Sequence, residues 1–231
     1  MQGSQGGSRP SDGMRSMLAC AALLCAAAPA GAVEIDIVAS GAGKPLADAV
    51  FSLEGARPAT ANGARAVMDQ RGSQFLPHVL AVQSGTAVAF PNSDQIQHQV
   101  YSFSAAKKFD LPLYAGARTS PVTFDQPGIV VLGCNIHDWM IGYVVVVDTP
   151  YFGKSDAQGK LSIDAPPGTY RLRVWHERLN GAASEQQVVL AAGKPLSLNV
   201  SLDVAAEAPA KPGNERLKAL QEKFRRLKAT P

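Results

Sequence analysis

The chain has 231 residues, 46% of them hydrophobic and 18% charged, with a mean hydropathy of −0.02. That balance is globular and excludes a polytopic membrane protein. The formal charge of +3 is unevenly placed: residues 211–231 carry seven Lys/Arg against Glu215 and Glu222. The remaining body is mildly acidic, which argues against a nucleic-acid-binding domain with a basic face.

The N-terminus reads as a secretory signal. Arg9 and Arg15 precede an apolar run over 17–28, and Ala28-Pro29-Ala30 and Ala30-Gly31-Ala32 are both A-x-A cleavage signals. Residues 1–32 are therefore expected to be a signal peptide, cleaved after Ala32, that sends the chain to the periplasm. The run is too short for a spanning helix. A lipoprotein reading at Cys20 or Cys25 is the weaker one, because neither precedes a good processing site. Cleavage removes both and leaves Cys134 as the single thiol in an oxidising compartment. Such a thiol is a buried small hydrophobe, half of an intermolecular disulfide, or a thiolate held by metal.

Beyond the leader the apolar runs are short, rich in Val and aromatics, and punctuated by Gly, Pro, Asn and Asp. Strands are expected at 34–39, 49–54, 79–82, 86–90, 99–103, 122–124, 129–132, 143–147, 160–164, 169–175, 186–190 and 196–202. This is the spacing of antiparallel sandwiches, not of βαβ units. Turns are marked at Ser84-Gly85, Gln126-Pro127-Gly128, Asp156-Ala157-Gln158-Gly159 and Pro166-Pro167-Gly168. Residues 204–213 have a linker composition. Asn214 can cap a helix over 214–229, with Leu217, Leu220, Phe224 and Leu227 on one stripe and basic residues around the rest. That helix rests on the body, or docks an acidic partner or an anionic membrane surface.

The segment with chemistry is Gly133-Cys134-Asn135-Ile136-His137-Asp138-Trp139-Met140, just before an apolar run. A thiolate, an imidazole and a thioether lie within seven residues. Upstream, His98 follows the strand at 86–90 and the turn that opens with Asn92. Soft sulfur with imidazole suits copper, and two His and one Cys with a long axial Met define a mononuclear electron-transfer site. A loop between adjacent strands can fold Cys134, His137 and Met140 around one point, and His98 completes the plane from another loop.

Residues 74–147 resemble a cupredoxin, the plastocyanin and azurin family. The resemblance rests on Phe75-x-Pro77, Val82-x2-Gly85-x2-Val88-x-Phe90-x-Asn92-x5-His98-x-Val100, Pro127-Gly128 and Cys134-x2-His137-x2-Met140. It implies a Greek-key sandwich with His98, Cys134 and His137 as equatorial ligands of one copper and Met140 as the axial ligand. The segment 133–152 further resembles exported proteins often labelled methylamine-utilisation proteins, a label of gene neighbourhood and not of activity. The loop is shorter than in plastocyanin, so Asp138 or a water competes with Met140 for the axial place. His-x2-Met spacing also occurs in the binuclear copper domain of cytochrome oxidase, but that centre needs two cysteines. His78 reads as a packing or surface residue. His176, after Trp175 and beside Glu177, reads as a residue outside the site, with a place near the copper end or a second metal as the alternative. Asn92 and Asn135 are candidates to support the ligand loops.

Residues 154–172 resemble the second half of a carboxypeptidase-regulatory-like (transthyretin-like) sandwich, and Gly43-Lys44-Pro45-Leu46 with Asp48-Ala49-Val50 resembles the first. The expected class is all-β: a cupredoxin sandwich at 65–148 inserted into a second small β-sandwich made of 33–60 and 150–203, with the short C-terminal helix. The alternative is a separate C-terminal sandwich, with 34–53 pairing onto the cupredoxin. Expected function is single-electron transfer between periplasmic redox partner proteins. Copper binding or delivery without redox turnover is the alternative. An enzyme is not expected, because four histidines with no His-x-His leave too few further copper ligands.

Overall fold

The computed structural model describes residues 31–55, 63–116 and 120–206. Nearly all of the expected leader, most of the 204–213 linker and the 214–229 helix lie outside the described residues. Among the described residues the chain is all-β. It opens with β1 (Val33–Gly41), β2 (Lys44–Pro45) and β3 (Val50–Glu54). Next come β4 (Arg65–Val67), β5 (Asp69–Gln70), β6 (Phe75–Leu76), β7 (Val79–Gln83) and β8 (Thr86–Ala89). They are followed by β9 (His98–Ser104), β10 (Lys107–Tyr114), β11 (Val122–Phe124), β12 (Gly128–Gly133) and β13 (Ile141–Val147). The series closes with β14 (Phe152–Lys154), β15 (Lys160–Ala165), β16 (Gly168–Trp175), β17 (Ser184–Leu190) and β18 (Leu196–Leu202).

Period-two patterning builds these strands. In β1, Val33, Ile35, Ile37 and Ala39 point inward while Glu34 and Asp36 face out. In β16, Tyr170, Leu172 and Val174 alternate with Thr169, Arg171 and Arg173 in the same way. One sheet has the order β15-β1-β18, with β2 added to β1, and another has the order β14-β3-β16-β17. Their inward side chains, among them Ile35, Ile37, Phe51, Leu53, Ile163, Leu172 and Leu202, share one core.

A five-stranded sheet, β10-β9-β12-β13-β7, and a three-stranded sheet, β11-β8-β4, contribute to a separate core of Phe75, Val88, Phe90, Val100, Phe124, Leu132 and Val144. That core extends to Cys134 and Met140. β13 departs from alternation: Val144, Val145, Val146 and Val147 are all buried. Its second face is covered, because Val145, Val147 and Val79 pack with Val50, flanked by Tyr143, Phe152 and Trp175. A strand buried on both faces reads as a continuous apolar run.

β10 is not among the strands expected from sequence. Pro112 interrupts its pattern, and the ladder with β9 shifts register between Leu111 and Tyr114. β10 pairs on one side only, at the end of its sheet, where a proline is tolerated.

Polar groups tie the two cores together. His78 Nε2 lies 2.9 Å from Glu177 Oε2, and the Tyr143 and Trp175 ring centroids are 5.3 Å apart. The Glu177 carboxylate raises the His78 pKa, against the opposing effect of burial, and its bond to His78 lowers its own. The ion pair is therefore complete between the ordinary carboxylate and imidazole values of 4.5 and 6.5. Its contribution fades as pH rises through the raised His78 pKa, and as pH falls through the lowered Glu177 pKa. Glu177→Gln should cost under about 1 kcal/mol, as partly exposed pairs do. The gap to wild type in urea unfolding should be widest at pH 5–6 and should narrow by pH 9. An equal gap at both pH values would show that the pair does not carry the effect.

Candidate metal centre

Two chain reversals at one end of the site-bearing sandwich build the centre. After β8 the chain passes through Pro91 to the buried Asn92. The Asn92 amide donates to the carbonyls of Ile96 and Tyr114 at 2.9 and 2.8 Å. Its Oδ1 accepts from the Asp94 backbone N–H at 2.9 Å. This asparagine turn ends the loop at His98, the first residue of β9. The second reversal is the loop 134–140 between β12 and β13, which is closed by the pairing of Gly133 with Ile141. Within it the His137 N–H donates to the Cys134 carbonyl at 3.4 Å and the Met140 N–H to the His137 carbonyl at 2.9 Å. The three-residue spacing of Cys134, His137 and Met140 thus becomes two successive tight turns.

The structure brings three of the four expected ligands into a single cluster. Cys134 Sγ lies 3.9 Å from His98 Nδ1 and 3.7 Å from His137 Nδ1. Donor atoms of the three residues all lie within 4.8 Å of one another. A point equidistant from three atoms so spaced is about 2.1–2.5 Å from each, the range of first-row metal bonds to imidazole nitrogen and thiolate sulfur. The residues therefore fit a metal ion. His98 is fully buried, Cys134 is 3% exposed, and the thiol is free. Met140 is 1% exposed and belongs to the same core as Cys134. Both line a groove of about 510 Å³, together with Tyr101, Asn135, Asp138 and Ile141. Asn135 and Asp138 are themselves exposed.

His137 is the side chain of the cluster nearest solvent. Its ring is partly exposed and meets Trp139 edge-on, with centroids 5.2 Å apart. Trp139 is 53% and Ile136 48% exposed, so the apolar side chains next to His137 in this loop face solvent.

Sequence reasoning missed Asp94. Its Oδ2 lies 2.8 Å from His98 Nε2, on the side of the imidazole opposite Cys134. Asp94 Oδ1 accepts from the Gly72 N–H at 2.7 Å and Oδ2 from the Ser73 N–H at 2.9 Å. Burial opposes ionisation of this carboxyl, but the bonds from Ser73, Gly72 and His98 outweigh it and hold the pKa below the ordinary value. The only signal in the sequence is a carboxylate four residues before a histidine, inside a run that reads as a turn.

The other two histidines lie outside the cluster. His78 pairs with Glu177, as described above. His176 is buried, and its Nδ1 accepts from the Arg178 N–H at 3.1 Å. Burial lowers its pKa, which favours the neutral ring.

No protein-family model matches the chain, and no curated protein matches it. Among solved structures, a purple cupredoxin from Nitrosopumilus maritimus is similar at 22% identity, over 36% of this chain and 99% of its own, with a TM-score of 0.32. A reduced Cu(I) form of an amicyanin variant is similar at 23% identity, over 42% of this chain and 98% of its own, with a TM-score of 0.34. A copper-containing nitrite reductase from Thermus scotoductus SA-01 is similar at 27% identity over 41% of this chain, with a TM-score of 0.35. The matching part spans 26% of that reductase.

Proposed function

We propose that the chain is an exported mononuclear copper protein that carries single electrons between periplasmic redox partners and is not an enzyme. The observation that carries this reading is the convergence of two imidazole Nδ1 atoms on one buried, unpaired thiol. His98, Cys134, His137 and Met140 would hold the ion. Two imidazoles and a thiolate with a weak thioether are the donor set of mononuclear electron-transfer copper. Copper in such a donor set supplies a one-electron change between Cu(I) and Cu(II).

The chain's own residues supply the rest. Ladders at β9, β12 and β13 hold the ligand loops, so the donors need not move when charge changes. Burial of His98, Cys134 and Met140 keeps water from them, while the partly exposed His137 edge, with Trp139 and Ile136, offers a partner a short approach. His78 and His176 are engaged elsewhere, which supports a carrier over a multi-copper enzyme. Residues 1–32 support export, and the basic segment 214–229 suits contact with an acidic partner or an anionic membrane surface. The sandwich built from 33–54 and 151–204 suits a structural or adhesive role.

The test is an optical and paramagnetic spectrum of the mature protein titrated with Cu(II), followed by voltammetry. An intense visible thiolate-to-copper band with a reversible one-electron couple is expected at one copper per chain. A band without a reversible couple, together with tight Cu(I) binding, would replace the carrier by a copper-delivery protein. Absence of the band at any copper load would overturn the copper reading.

A further inference from the structure

We propose that Asp94 is a positioning residue of the metal centre: its carboxylate fixes the His98 ring with the Nδ1 lone pair toward Cys134 and biases bound copper toward the oxidised state. This rests on the copper reading above.

A neutral imidazole carries its hydrogen on one nitrogen and a lone pair on the other. His98 Nε2 lies 2.8 Å from a carboxylate oxygen, which only accepts, so the hydrogen is held at Nε2. The lone pair is then on Nδ1, the atom that faces Cys134 Sγ. Carboxylate–histidine pairs of this kind orient metal ligands and raise their basicity.

Asp94 is itself held in place. The turn between β5 and β6 puts Gly72 at φ 64° and Ser73 at φ 53°, and their successive N–H groups converge on the Asp94 carboxylate. Consecutive amides in such a conformation form an anion-binding nest. A serine in the left-handed region is a strained conformation that its surroundings must maintain. The nest keeps a full negative charge one imidazole away from the donor cluster, and a negative charge there favours Cu(II) over Cu(I). The loop does not depend on that charge alone, because Asn92 also ties it to Ile96 and Tyr114.

The experiment compares wild type, Asp94→Asn and Asp94→Ala. In the metal-free proteins, nitrogen-detected NMR of the His98 ring reads the tautomer, and thermal unfolding controls for fold. Wild type should show a single tautomer with hydrogen on Nε2. Asp94→Ala should show a mixture and bind Cu(II) about 10–100-fold more weakly, the usual cost of losing such a partner. Asp94→Asn keeps an acceptor for Nε2–H but loses the charge, so the tautomer should persist while the potential rises. Each tenfold loss of Cu(II) over Cu(I) affinity is about 59 mV for one electron. Folded variants with the wild-type tautomer and potential would overturn the role of Asp94 while leaving the copper reading intact. If Asp94→Ala does not fold, Asp94→Asn decides through its potential. A wild type without the thiolate band overturns the copper reading and this inference together.

Discussion

Cys134→Ser is expected to abolish the intense visible band of the copper-loaded protein and to weaken Cu(I) binding by at least about 100-fold, since outer partners of ligands alone are worth 10–100-fold. Serine replaces a polarisable thiolate by a hard hydroxyl that stays protonated, and soft sulfur is what selects Cu(I). The metal-free fold should change little. The new hydroxyl would sit between two imidazole Nδ1 atoms, each within hydrogen-bonding reach after a small shift, so its burial is compensated. Calorimetry separates the two effects. Copper at 100 times its Kd stabilises a binding-competent protein by about 2.7 kcal/mol, and this increment should vanish in the variant. A band that survives Cys134→Ser would show that the thiolate is not a ligand.

Phe90→Ala should remove about 3–5 kcal/mol of stability, as truncation of a buried aromatic does. Phe90 is fully buried, with its ring centroid 5.8 Å from Phe109 and 6.4 Å from Phe124. Those two rings meet edge-on with centroids 6.0 Å apart, so the truncation opens a cavity in a three-ring cluster. The Phe90 carbonyl accepts the Tyr114 hydroxyl, and the Tyr114 carbonyl accepts the Asn92 amide of the His98 loop. A loss of this size is a large part of the 5–15 kcal/mol of a typical domain, so weaker copper binding should follow from partial unfolding. Phe103→Ala is the control. That side chain is 80% exposed, and its truncation should change stability by less than about 0.5 kcal/mol. Denaturant titration of both variants checks the contrast, and equal losses would contradict the packing described.

The sequence made the strands legible where alternation was clean, as in β1 and β16, because a half-buried strand must repeat every second residue. It could not say which strands pair. β1 lies antiparallel to β15 and parallel to β18, and nothing local to β1 encodes either partner. β10 escaped notice because Pro112 breaks the pattern at its bulge. Nearness of Cys134 to His137 follows from short spacing in a loop. Nearness of His98 to both follows only from the strand ends meeting at one end of a sandwich. Asp94 was illegible because its partners Gly72 and Ser73 come from a distant turn, and a lone carboxylate in a polar loop has no period to betray it.

The pairing of β3 with β14 has a consequence for how this chain can be altered. Phe152 lies opposite Ser52 and Gly153 opposite Phe51, so the chain leaves β3 and returns in β14 across a single strand spacing of about 4.8 Å. The closure entropy of whatever is strung between these two posts changes little with its length, because that entropy grows only slowly with length. The intervening stretch is therefore expected to tolerate exchange for another folded unit, which a graft that keeps β3 and β14 would test. A foreign sandwich whose ends meet at strand distance could be grafted there, or the gap bridged by a tight turn, provided the bared faces of Val50, Phe152 and Trp175 were given polar substitutes.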